Sequence, residues 1–172
     1  MNFTSHDSNI SKENNKLPCL MGQSSKKRIL KDVIQIMKNP LHDQGIYYKH
    51  DEEDIQKGYA MIIGPKDTPY QNGMYFFSFI FPNNYPFSPP KVKYKTNDGN
   101  IRFNPNLYED EKVCLSILNT WRGEQWTSCQ SISSILLTIV SILNKEPFLN
   151  EPEMTRDEPD FDVYHETVEW GN

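Results

Sequence analysis

Met74-Tyr75-Phe76-Phe77-Ser78-Phe79-Ile80-Phe81-Pro82, with Tyr85-Pro86-Phe87-Ser88-Pro89-Pro90 close behind, is the stretch on which the fold turns. Its first part is crowded with aromatic residues, which suit a pleated, half-buried surface. Tyr75, Phe77 and Phe79 read as core and sheet residues rather than as a binding stripe. Pro82 closes this strand. The later prolines each fix φ and restrict the residue before them, so 85–90 is a stiff loop that carries Phe87. Phe87 is then either core packing by a loop aromatic or an anchor held outward.

Working outward, strand-like runs occupy Ile46 to Lys49, Gly58 to Ile63 and Val92 to Thr96. Gly64 to Pro69 and Gln71-Asn72-Gly73 punctuate them as turns, which suggests an antiparallel meander. Before the strands, Leu30, Val33, Ile34 and Met37 recur at helical spacing, with Ser24 or Ser25 as the expected N-cap and Asn39-Pro40 as the stop. Lys26, Lys27, Arg28 and Lys31 lie near that helix start, where positive charge opposes the helix dipole. They form either a solvated basic face or a partner-binding one. After the strands, Ile132, Ile135, Leu136, Ile139, Val140 and Leu143 mark a central core helix over Ser131 to Leu143. A last helix is expected from about Pro159, with Phe161, Tyr164 and Val168 on one side. Helix, four strands, an irregular segment and helices make an α+β domain, with helices packed on one antiparallel sheet. Residues 1–23 read as a flexible leader and 24–172 as a single domain.

The formal net charge of −5 argues against a nucleic-acid partner. No apolar run approaches the ~18 residues of a membrane span. Cys19, Cys114 and Cys129 form neither a metal spacing nor an even disulfide set, so no metal or cofactor is expected, and a reducing compartment suits the chain.

Chemistry concentrates between Phe103 and Leu118, where Val113-Cys114-Leu115-Ser116-Ile117-Leu118 follows Asn104-Pro105-Asn106. A thiol beside a side-chain amide can carry an acyl group, because the amide can bond the oxygen that becomes negative in a tetrahedral intermediate. A cysteine hydrolase would also need a histidine base, and His6, His42, His50 and His165 stand in no recognisable catalytic pattern.

Lys27 to Asp32, Gly64-Pro65, Thr68-Pro69-Tyr70, Phe79 to Pro82, Tyr85 to Pro90, Asn104-Pro105-Asn106, Val113-Cys114-Leu115, Trp126 and Ser131-Ile132 stand in this order. Together they resemble the ubiquitin-conjugating enzymes over roughly residues 25–152. Cys114 to Leu118, Thr120-Trp121, Gly123 and Asn150-Glu151-Pro152 resemble most the subgroup of the Z-type conjugating enzyme and the conjugating domain of the giant apoptosis inhibitor. That resemblance implies the UBC fold, with a short C-terminal helical region. It implies that Cys114 accepts ubiquitin or a ubiquitin-like modifier as a thioester from an activating enzyme, which consumes the ATP. A substrate lysine then takes the modifier, usually with a ligase. By the same resemblance Asn106 serves the oxyanion or holds the active-site loop, and Glu151 lies near the incoming lysine. Phe87, Trp126, Thr127, Ser128 and Cys129 match ligase-contact loops, and Lys26, Lys27, Arg28 and Lys31 match the activating-enzyme face. A catalytically inactive UBC-like module that assists another conjugating enzyme is the alternative. The cytoplasm and the nucleus are the expected locations.

The departures matter as well. Asn104 replaces a histidine regarded as structural, and Ser116 stands where aspartate is commoner. Glu111 replaces a glycine; if that position requires φ > 0, glutamate should strain or remodel the turn. Glu109, Asp110 and Glu111 place negative charge ahead of the thiol, with no cation evident nearby in sequence. The extended segment Asn119 to Gln125 either tunes partner choice, with Trp121 and Arg122 as contact residues, or is a structural plug in which Trp121 caps the core.

Overall fold

The computed structural model describes residues 22–96 and 101–172. The expected leader lies almost wholly outside them, although Gln23 already belongs to the first helix, α1 (Gln23–Lys38). Strands β1 (Ile46–His50), β2 (Lys57–Ile63), β3 (Met74–Ile80) and β4 (Lys91–Tyr94) pair antiparallel in chain order, which is the expected meander. On β3 the alternation is clean, with Tyr75, Phe77 and Phe79 buried and Met74, Phe76 and Ile80 exposed. Tyr75 faces Ile62, Phe77 faces Ala60 and Tyr94, and Phe79 faces Val92, so the aromatic row of β3 becomes the spine of the core. β4 stops before the expected Thr96. Pairing nevertheless runs on, because Lys95 N–H donates to the Phe76 carbonyl and Phe76 N–H donates to Thr96 Oγ1, each at 2.8 Å.

Helix α2 (Ile132–Ile142) is the central helix. Ser131 caps its start through a reciprocal pair of bonds with Ser134, and Ile132, Ile135, Leu136 and Ile139 are fully buried. Helix α3 (Phe161–Gly171) buries Val168 against the same core. The end of the chain returns to the sheet: Tyr75 Oη donates to Asn172 Oδ1 at 2.5 Å, and Asn172 Nδ2 donates to the Gln71 carbonyl at 2.9 Å. No helix among the described residues is long and apolar enough to cross a membrane.

Helix α1 departs from the sequence reading at both its start and its face. Its N-cap is Gly22 rather than Ser24 or Ser25, and Ser25 is buried inside the helix, donating to the Asn83 carbonyl at 2.7 Å. The buried face is Ser25, Ile29, Asp32, Val33 and Ile36, whereas Leu30, Ile34 and Met37 are exposed. Two apolar stripes share Val33, and counting apolar residues alone selects the wrong one. The buried stripe includes a carboxylate, Asp32, that the fold satisfies. Arg28 Nε donates to Asp32 Oδ1 at 3.0 Å and Tyr85 Oη donates to Asp32 Oδ2 at 2.5 Å. The two stripes predict different costs. Ile36→Ala should destabilise the domain by about 2–5 kcal/mol, while Met37→Ala should stay within about 0.5 kcal/mol. Urea unfolding of the two variants checks this, and the reverse order would rotate the helix.

Candidate active site

Cys114 is held at both ends of its own residue by Asn106. The Cys114 N–H donates to the Asn106 carbonyl, and Asn106 Nδ2 donates to the Cys114 carbonyl, each at 2.8 Å. The carbonyl can only accept, so the amide orientation of Asn106 is fixed. Thr120 holds the residues on either side. Its hydroxyl accepts from Leu115 N–H at 2.9 Å and lies 2.8 Å from the Val113 carbonyl and 3.1 Å from that of Leu115. The cysteine peptide is thereby fixed from two directions, and Cys114 is 1% exposed.

Asn106 is anchored in turn by Asn104. Asn104 Oδ1 accepts from Asn106 N–H at 2.9 Å, while Asn104 Nδ2 donates to Tyr70 Oη at 2.9 Å and to the Ile142 carbonyl at 2.7 Å. All hydrogen-bonding groups of this fully buried amide are used in structure, and none points to chemistry. The histidine-to-asparagine departure therefore leaves a structural role filled. The described histidines lie elsewhere: His42 stacks on Tyr47, His50 bonds Tyr48 Oη and the Ile55 carbonyl, and His165 bonds the Phe161 carbonyl.

Glu111 does take a positive φ, at 70°. A non-glycine residue there costs about 1–2 kcal/mol, and neighbouring contacts offset it. The Glu111 carbonyl accepts from Tyr94 N–H at 2.9 Å. Its carboxylate pairs with Lys93 Nζ at 2.7 Å and Lys95 Nζ at 2.5 Å. Hydrogen bonds from Lys93 and Lys95 hold the Glu111 carboxyl at about 2. The cations missing from the local sequence come from Lys93 in β4 and Lys95 just after it, so part of the acidic run is neutralised from the sheet edge.

The segment after Cys114 forms a short 3-10 turn, Ser116–Leu118, and then the extended loop. Asn119 Oδ1 accepts from Trp126 N–H at 2.8 Å and ties the loop's two ends together. Gln125 Nε2 donates to the Trp121 and Gly123 carbonyls at 3.0 and 3.2 Å. Gly123 has φ of 124°, and a Cβ built on it would meet Ser116 Cβ at 3.1 Å, so the loop folds back against the cysteine segment. Trp121 is half-buried and lies outside the core cluster. It lines an open cleft with Asn119, Thr120, Arg122, Glu151, Pro152 and Glu153. Glu151 therefore shares a cleft with the residue that clamps the cysteine. Asn150 sets its place by donating to the Ile142 carbonyl at 2.9 Å, and Arg102 lies 3.8 Å from its carboxylate.

The family model described as ubiquitin-conjugating enzyme matches residues 28–164. The chain belongs to that family. It is 44% identical over 144 residues to ubiquitin-conjugating enzyme E2 Z of Xenopus tropicalis, covering 82% of this chain and 45% of that protein. The human E2 Z matches at the same identity, with 40% of its length covered. The human dual E2 ubiquitin-conjugating enzyme/E3 ubiquitin-protein ligase BIRC6 is 43% identical over 142 residues, 73% of this chain and 3% of that protein. The chain thus spans less than half the length of these relatives. Among solved structures it resembles human ubiquitin-conjugating enzyme E2 G1, with TM-score 0.61 and 28% identity over 69% of this chain and 93% of that one. A ubiquitin-conjugating enzyme from Plasmodium falciparum matches with TM-score 0.58 and 29% identity, over 68% and 96% of the two chains.

The residues expected at the partner surfaces of this family of enzymes divide into outward and inward ones. Phe87 is 78% exposed, which decides between its two readings. Its loop is held from below: Trp126 Nε1 donates to the Pro86 carbonyl at 2.6 Å, and Asn84 Nδ2 donates to Ser88 Oγ at 2.8 Å. Trp126 itself is buried and braces the Phe87 loop from inside, whereas Thr127, Ser128 and Cys129 are exposed. Arg28 is also turned inward. It pairs with Asp32 and donates to the Ser128 and Gln130 carbonyls at 2.6 Å each. Lys26, Lys27 and Lys31 remain exposed. The sequence carried a signal for the inward role of Arg28, a carboxylate four residues after it at helical ion-pair spacing.

The Glu111 pairs carry a pH signature. A carboxyl held at about 2 against its ordinary 4.5 contributes stability above pH 4.5 and loses it as the pH falls towards 2. Glu111→Gln should lower the melting temperature at neutral pH, with the gap to wild type narrowing on acidification below pH 4.5. A gap unchanged over that range would show that the ion pairs do not hold the turn.

Proposed function

We propose that this chain is an active conjugating enzyme that carries ubiquitin or a ubiquitin-like modifier as a thioester on Cys114. The supporting observation is the double hold on the Cys114 peptide inside a domain of the matching family. In loading, the Cys114 thiolate attacks the carbonyl of the modifier's thioester with an activating enzyme, and that enzyme's thiolate leaves. In discharge, a lysine amine attacks the new thioester. The tetrahedral intermediate collapses to an isopeptide bond, the Cys114 thiolate leaves, and the amine gives up a proton. The thioester is already activated, so the protein mainly has to position the partners. Glu151, in the cleft beside Thr120, can orient the amine and help take its proton. Phe87 with Thr127, Ser128 and Cys129 makes the ligase-facing surface, and Lys26, Lys27 and Lys31 make the activating-enzyme face. Free thiols at Cys114 and Cys129 suit the cytoplasm or the nucleus.

Asn106 takes the loop-holding role in this reading. Its amide hydrogen-bonds the Cys114 carbonyl, so an amide aimed at an oxyanion would first have to release the loop. A residue 1% exposed also needs some rearrangement around it before it can bear an acyl group.

Incubation with activating enzyme, ATP and modifier tests the proposal. Wild type should form a reducible adduct, Cys114→Ser a reductant-resistant one and Cys114→Ala none, while Cys129→Ser should still load. Charging of Cys114→Ala would overturn the assignment, and no adduct with any modifier would favour the inactive binding module. For Asn106→Ala, loading and lysine discharge should fall together, on the order of 10²-fold for a misplaced reacting group. Wild-type loading with discharge alone slowed by roughly 10²–10³ would assign the amide to the oxyanion instead.

A further inference from the structure

We infer that the cleft formed by residues 119–122 and 151–153 selects the acceptor, taking a peptide whose target lysine has an acidic neighbour. This rests on the reading of Cys114 as the acyl carrier. The cleft encloses about 680 Å³, within the ~300–1,000 Å³ of cavities that hold whole small ligands and more than one lysine side chain fills. It lies beside the site, since Thr120, which lines it, also holds Val113 and Leu115 on either side of the cysteine through its hydroxyl.

Its charge has two signs. Glu151 and Glu153 suit an ammonium, and Arg122 suits a carboxylate. Among the described residues no ion pair joins Arg122 or Glu153 to another side chain, so both charges face solvent or a partner. Glu153 is presented on a turn residue with φ of 72°. Trp121 offers a half-buried indole in the same cleft, a surface for the aliphatic stem and the charged head of a lysine. A neutral or basic neighbour beside the lysine would leave Arg122 without its partner or repel it.

The test uses two short peptides that differ only in one residue beside lysine, Asp against Asn, titrated into the uncharged protein. Binding is read from the indole N–H signal of Trp121 by NMR. The Asp peptide should bind about three- to fivefold more tightly at low salt, as expected for an exposed ion pair, and the difference should shrink as salt rises. Arg122→Glu should reverse the order, favouring a third peptide with Lys in that place. Equal shifts for the first two peptides, or an unchanged order in Arg122→Glu, would overturn the proposal. Thioester formation is scored separately. Its absence together with selective binding would refute the acyl-carrier reading and leave the cleft's selectivity standing.

Discussion

The whole site depends on how the peptide of Cys114 is fixed. Asn106 bonds residue 114 at its N–H and at its carbonyl, and Thr120 bonds residues 113 and 115. Neither hold stands alone. Asn106 is set by Asn104, and Asn104 donates to the Ile142 carbonyl at the end of α2. That carbonyl belongs to the last turn of a helix, where acceptors lack an intrahelical partner. It also accepts from Asn150, the residue before Glu151. One helix end therefore organises both the cysteine segment, through Asn104, and Glu151, through Asn150. In this buried polar network Asn104 is satisfied completely, while Asn106 uses its Nδ2 on the Cys114 carbonyl and leaves its buried Oδ1 without a hydrogen-bond partner.

Charge follows the same logic. Glu111, Arg28 and Asp32 look like surface charges in the sequence, yet each holds one segment to another. Glu111 ties the turn before the cysteine to β4, and Arg28 ties α1 to the loop after Trp126. What is left outward is a smaller and more specific set: Lys26, Lys27 and Lys31 on the helix, Phe87 on its braced loop, and the mixed charges of the cleft.

The meander, the central helix and the irregular run around Cys114 were legible because they follow from short-range signals, namely period, proline and turn chemistry. The face of α1 was not, because its buried stripe contains Asp32, and only the distant Tyr85 hydroxyl and Arg28 make that burial tolerable. The burial of Trp126 is not legible in the sequence, because an aromatic that touches a partner and one that braces a neighbouring loop from inside look alike there. The neutralisation of Glu111 was likewise hidden, since Lys93 and Lys95 lie in and just after β4, 16 to 18 residues away in sequence. Asn106 and Glu151 are reached through the resemblance, while the sequence around Thr120 gives no sign of its role. Its role emerges when the chain folds back and its hydroxyl reaches both neighbours of the cysteine.

Asn106 and Thr120 act as one clamp on the cysteine segment. A double-mutant cycle with Asn106→Ala and Thr120→Val, read as the single-turnover rate of modifier discharge to lysine, tests it most directly. Two groups serving one constraint should not add, so the double variant should be scarcely slower than the worse single variant. Full additivity of the two effects would mean that the residues work independently, and the account of the cysteine's positioning would be wrong.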